Sequence, residues 1–102
     1  MKKPSSKYLL ALQTLVLNSF KNEKVKIVLF GSRARRDYGI SSDVDIGILP
    51  YKKIDETNIA LLREKIESSN IPFKVDLVDF SNMPASFKKE ALKKAIVWKD
   101  WR

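Results

Sequence analysis

The sequence predicts a small α/β domain in which helices cover a short sheet. Three observations point to it. Apolar residues switch repeatedly between helical spacing and short strand-like runs; those runs are closed by Gly, Pro or Ser-Asn; and the 102 residues show no repeat, no low-complexity linker and no internal boundary. The chain therefore reads as one domain over residues 1–102.

The elements follow in order. Ser5 and Ser6 can cap a helix over Lys7 to Lys21, whose stripe is Leu9, Leu12, Val16 and Phe20, widened by Tyr8, Leu10, Leu15 and Leu17. Val25 to Phe30 is a β-rich run that ends at Gly31, a strand entering a turn. A tight excursion through Arg33 to Ser42, a loop or short helix, leads to a second strand over Asp43 to Leu49, stopped by Pro50. Asp55 opens a helix whose Ile59, Leu62 and Ile66 share a face, with Ile71 and Pro72 beyond its end. Phe73 to Phe80 alternates as a third strand, and Ser81, Asn82 and Pro84 supply turn and cap chemistry. Phe87, Ala91, Leu92, Ala95 and Ile96 form a last helix face, fraying into an extended end at Val97 and Trp98. Pattern alone leaves the strand directions open.

Composition excludes several chemistries. With no Cys and no His, zinc sites of the usual kinds, thiol nucleophiles, disulfides and imidazole-based triads are impossible, so any metal must be held by oxygen. No apolar run approaches the roughly 20 residues that cross a bilayer, and Tyr8 to Leu17 lacks the features of a signal peptide, which predicts a cytoplasmic protein that does not engage membranes. The net charge of +8 raises the question of nucleic acid. Residues 1–26 carry six basic groups and one acid, residues 84–102 six and two, and residues 27–83 eight and nine, giving +5, +4 and −1. The excess lies at the two ends, where solvated helix faces account for it, so direct nucleic-acid binding ranks last.

The chemistry concentrates in the neutral middle. Strand alternation sets Asp43 and Asp45 on one face, their Cα atoms about 7 Å apart from a rise of about 3.3 Å per residue, with Val44, Ile46 and Ile48 on the other. Same-face carboxylates repel, and Mg²⁺ is the simplest compensation because it binds one or two carboxylates and keeps positions for water and phosphate. The plainer alternative is that Asp43 starts the strand at the surface and Asp45 pairs with an arginine. Asp76 sits mid-strand between Val75 and Leu77, where Asp is disfavoured, and completes a cluster of three if its strand lies beside the first. Asp79 has the opposite parity and reads as a turn or cap residue. Gly31 and Ser32 lie in the turn after a strand, where a missing side chain and free N–H groups favour an anion, and Arg33, Arg35 and Arg36 follow.

Phe30-Gly31-Ser32-Arg33-Ala34-Arg35, with Ser42-Asp43-Val44-Asp45 and the later strand residue Asp76, resembles the nucleotidyltransferase superfamily of DNA polymerase beta and kanamycin nucleotidyltransferase. More narrowly it resembles the minimal nucleotidyltransferases of the MntA type, over nearly the whole chain. The resemblance implies a mixed sheet of three to four strands, Asp43 and Asp45 as ligands of two Mg²⁺ ions, and Asp76 as a third ligand and catalytic carboxylate that assists an acceptor hydroxyl. It implies nucleotide contacts from Gly31, Ser32, Arg33, Arg35 and Ser42. It further implies a small all-helical HEPN partner in a hetero-oligomeric toxin–antitoxin pair, and transfer of AMP from ATP, or of another nucleotide, to a tyrosine of that partner. One departure is Arg36, where the family often has Gly; Gly39 comes later.

Two further readings stand beside transfer. A binding module would neutralise a helical partner by contact alone, with Tyr8, Phe87, Trp98 and Trp101 as candidate contact aromatics or as core residues. A basic nucleic-acid binder would act through the chain ends. The short length favours a catalytic core whose acceptor lies on another chain.

Overall fold

A computed structural model describes residues 4–31, 43–53, 56–72 and 74–100 of the chain. Helix α1 spans Pro4–Ser19, three residues earlier than its predicted start, because proline is tolerated in a first turn whose N–H groups have no intrahelical partner. Strands β1 (Val25–Phe30) and β2 (Val44–Pro50) follow, then helix α2 (Glu56–Glu67) and strand β3 (Val75–Asp79). A 3₁₀ turn (Phe80–Asn82), helix α3 (Ala85–Leu92) and strand β4 (Ile96–Asp100) complete the described order. The predicted excursion over Arg33 to Ser42, Asp55, Phe73 and Trp101 lie outside the described residues.

The sheet order is β3-β2-β1-β4. β1 pairs antiparallel with both β2 and β4, whereas β2 and β3 are parallel, so the predicted α/β class is realised as a mixed sheet. Parallel neighbours need a crossover, and α2 supplies it. Leu12, Val16 and Phe20 of α1 and Ile59, Leu62 and Ile66 of α2 are buried against Val25, Ile27, Leu29, Val44, Ile46, Ile48 and Leu77. Both predicted helix stripes thus fill one core on one face of the sheet. Arg63 Nη2 donates to the Leu77 carbonyl at 3.0 Å, fastening the crossover helix to β3.

The opposite face is thinner. Val28 and Phe80 are buried there around Gly47, and the Phe30 and Phe80 rings meet edge to face at 5.2 Å. A Cβ on Gly47 would lie 2.9 Å from Phe80 Cζ and 3.1 Å from Val28 Cγ2, so glycine is what lets the Phe80 ring approach the strand this closely. The 3₁₀ turn that delivers this ring is capped by Asp79, whose Oδ1 accepts from the Ser81 N–H at 2.9 Å, the cap role its parity predicts.

One element differs from expectation. The last helix ends at Leu92, and Ile96 begins a five-residue strand instead of extending the helix face. Helical spacing at Ala95 and Ile96 is overridden by pairing with the open edge of β1, where Leu29 faces Ile96 and Ile27 faces Lys99. Lys99 secures the strand by donating from Nζ to the Phe20 and Glu23 carbonyls, at 2.5 and 3.0 Å, beyond the end of α1. Trp98 packs partly buried against the main core, while Tyr8 and Phe87 remain exposed.

Two stability outcomes follow from these contacts. Lys99→Met removes both charged donations and should lower unfolding free energy by about 2 kcal/mol, read as a fall in the urea midpoint. Gly47→Ala should cost about 1–3 kcal/mol through the displaced Phe80 ring, with a matching drop in thermal midpoint.

Candidate functional site

Asp45 is the residue to build from. It lies between Val44 and Ile46, both fully buried on the core face, so alternation turns its carboxylate to the thin face of the sheet, where it is half-buried. The parallel pairing of β2 with β3 then places Asp76 directly beside it on the neighbouring strand, at a spacing of about 4.8 Å. The same alternation leaves Asp76 exposed on that face between Val75 and Leu77. Asp43 precedes β2 and is exposed.

Gly31 closes the site from the other side. β1 is antiparallel to β2, with Phe30 facing Asp45, so Gly31, the residue after β1, comes directly over the Asp45 side chain. Gly31 adopts φ +77°, the left-handed region that disfavours side chains. A Cβ at Gly31 would collide with Asp45 Oδ2, so glycine is required twice, for the backbone turn and for the approach of the carboxylate.

Asp45, Asp76 and Gly31 are thus brought together at one end of the sheet. Asp43 stands one residue before β2, and among the described residues no three acidic side chains gather closely enough to hold a metal ion. Ser32, Arg33, Arg35 and Ser42, expected to contact nucleotide, lie outside the described residues. The donors present are carboxylates alone, the oxygen chemistry that suits Mg²⁺, and two like charges on one rung favour a cation between them.

Beside Gly31 opens a cavity of about 470 Å³ whose opposite wall is α3 and the turn after it, with Phe87, Glu90, Lys93 and Lys94. Sequence reasoning missed this wall. Exposed lysines at a helix end read as a solvated face, and only the fold reveals that they stand across from Gly31.

The sequence matches the family described as Polymerase beta, Nucleotidyltransferase over residues 16–100. No curated protein matches the chain. Among solved structures, the chain is similar to one in a toxin–antitoxin complex with AMP-PNP, with a TM-score of 0.67, 22% identity, and 88% of this chain and 74% of that one covered. It is similar to a chain in the complex of tri-AMPylated Shewanella oneidensis HEPN toxin with MNT antitoxin, at TM-score 0.61 and 20% identity, covering 89% and 71%. A chain of an MntA–HepT toxin–antitoxin structure matches at TM-score 0.59 and 20% identity, covering 89% and 72%. These likenesses establish a shared fold. With the family match spanning most of the sequence, the chain belongs to the polymerase beta nucleotidyltransferase family.

Proposed function

We propose that this nucleotidyltransferase moves AMP from ATP to a tyrosine hydroxyl of a small helical HEPN protein, and that it is the antitoxin of that pair. The observation that carries the reading is the Asp45–Asp76 rung closed over by Gly31. Support for the nucleotide comes from the similar complex holding AMP-PNP, and support for the acceptor from the similar complex whose HEPN toxin is tri-AMPylated. The site of action is the cytoplasm, where ATP and such a partner meet.

In the reaction the tyrosine oxygen attacks the α-phosphorus of ATP and forms the new P–O bond. The bond from that phosphorus to the bridging oxygen breaks, and pyrophosphate leaves with the electron pair. The hydroxyl proton passes to Asp76, the exposed carboxylate on the outer strand of the pair, since the chain has no histidine to take it. Asp45 fixes the reacting end from its half-buried position, and the missing side chain at Gly31 lets the phosphates approach the backbone. Asp45 and Asp76 are the pair that would hold Mg²⁺, with Asp43, one residue before β2, proposed as a ligand of a second ion; when bound, the metal neutralises phosphate charge and acidifies the incoming hydroxyl. Ser32, Arg33, Arg35 and Ser42 are proposed to contact the triphosphate.

A second reading is neutralisation of the partner by contact alone, and the exposure of Ile96 (41%) and Val97 (50%) on the edge strand β4 favours it. The same experiment separates the two. Incubated with labelled ATP, Mg²⁺ and a HEPN partner encoded beside it, the protein should label that partner. Asp45→Asn should reduce the label at least about 10³-fold while the complex still forms, and toxicity should return. Persistent silencing by Asp45→Asn would leave the contact reading standing.

Two further outcomes test the geometry. Asp76→Asn should abolish labelling yet raise folding stability by about 0.2–1 kcal/mol in a urea melt, because it relieves the like charges on one rung. Gly31→Ala should lower kcat about 100-fold by pushing the Asp45 carboxylate aside, with the sheet intact by circular dichroism.

A further inference from the structure

In-line displacement puts the attacking and leaving oxygens on opposite sides of the phosphorus. The sheet order β3-β2-β1-β4 sets Asp76 on one flank of Asp45, on β3, and Gly31 with its cavity on the other, beyond β1. If the hydroxyl loses its proton to Asp76, the pyrophosphate must depart across Gly31 toward the cavity wall formed by α3. That wall presents two ammonium groups, Lys93 and Lys94, both exposed. Their backbone is held in a turn by the Lys93 N–H to the Glu90 carbonyl and the Ala95 N–H to the Leu92 carbonyl, each 3.3 Å. Glu90 lines the same cavity with the opposite charge, leaving a net +1 among the three charged side chains.

We propose that Lys93 and Lys94 bind the β- and γ-phosphates of the nucleoside triphosphate and receive the charge that builds on pyrophosphate as it leaves. This rests on the nucleotidyl-transfer reading and adds residues outside the Gly31 turn and the carboxylates. When the new bond from tyrosine oxygen to the α-phosphorus forms, the bond to the bridging oxygen breaks. Its electron pair stays on pyrophosphate, where the two lysines face it, while the proton goes to Asp76. Glu90 opposes the same charge, and its repulsion weakens the hold on the product. The role is electrostatic and exposed, so salt screens it.

The test is calorimetric binding with Mg²⁺ at low salt, using α,β-methylene ATP, inorganic pyrophosphate and AMP as probes. The paired substitution Lys93→Gln and Lys94→Gln should weaken the ATP analogue and pyrophosphate about tenfold, the sum of two exposed charge contacts, and leave AMP binding unchanged. Glu90→Gln should move affinity the other way, tightening both phosphate ligands about two- to threefold. Equal losses for the ATP analogue and AMP, or no change in either charge variant, overturn the assignment of the lysines while nucleotidyl transfer stands. A wild-type protein that binds neither the ATP analogue nor AMP overturns the transfer reading and this inference together.

Discussion

The site depends on the parallel register between β2 and β3. Val44 faces Val75, Asp45 faces Asp76 and Ile46 faces Leu77, so a slip of one residue would drive the acids into the core and the aliphatics out of it. The magnitudes show what holds the register. Each fully buried aliphatic contributes about 1.5–3 kcal/mol, whereas like charges opposite one another cost only about 0.2–1 kcal/mol. Val44, Ile46 and Leu77 therefore dictate the pairing, and the carboxylates sit together because the core gives them no other place.

The thin face works differently. Among the described residues its buried apolar cluster is small, Val28 and Phe80 around Gly47 with Phe30 against the Phe80 ring, and this cluster lies beside Asp45 on the same strand face. A deeper layer there would cover the carboxylates. A bare face would leave β2 without support behind the rung, so the single ring of Phe80, seated on a strand with no side chain in its way, meets both demands.

Much of this was legible in the residues. Period-two alternation set Asp43 and Asp45 on the face opposite Val44, Ile46 and Ile48, and parity set Asp79 apart from Asp76 as a turn or cap residue, because a strand offers only two directions; Asp43 falls one residue before β2. Helical spacing picked out Leu12, Val16 and Phe20, and also Ile59, Leu62 and Ile66, because both stripes meet one continuous core. What stayed hidden depends on partners distant in sequence. β4 was not legible as a strand beginning at Ile96, since its pairing with β1 and the reach of Lys99 to the Phe20 carbonyl are long-range choices. Strand directions were equally open, and with them the meeting of Asp45 and Asp76. Lys93 and Lys94 gave no local signal, for a lysine at a helix end looks the same over water as over a cavity.

The sheet order carries a consequence for how such a protein changes over time. The carboxylate rung and the Gly31 turn belong to β1, β2 and β3, while the facing cavity wall is contributed by α3 and its turn, before β4 on the opposite edge. The two halves meet at the end of β1, where Phe30 and Gly31 line the shared cavity, and substitutions well apart and without shared partners act almost independently. Selection can thus retune the α3 wall while the acids stay in place on the sheet, so that affinity and product release can drift apart from the reactive carboxylates.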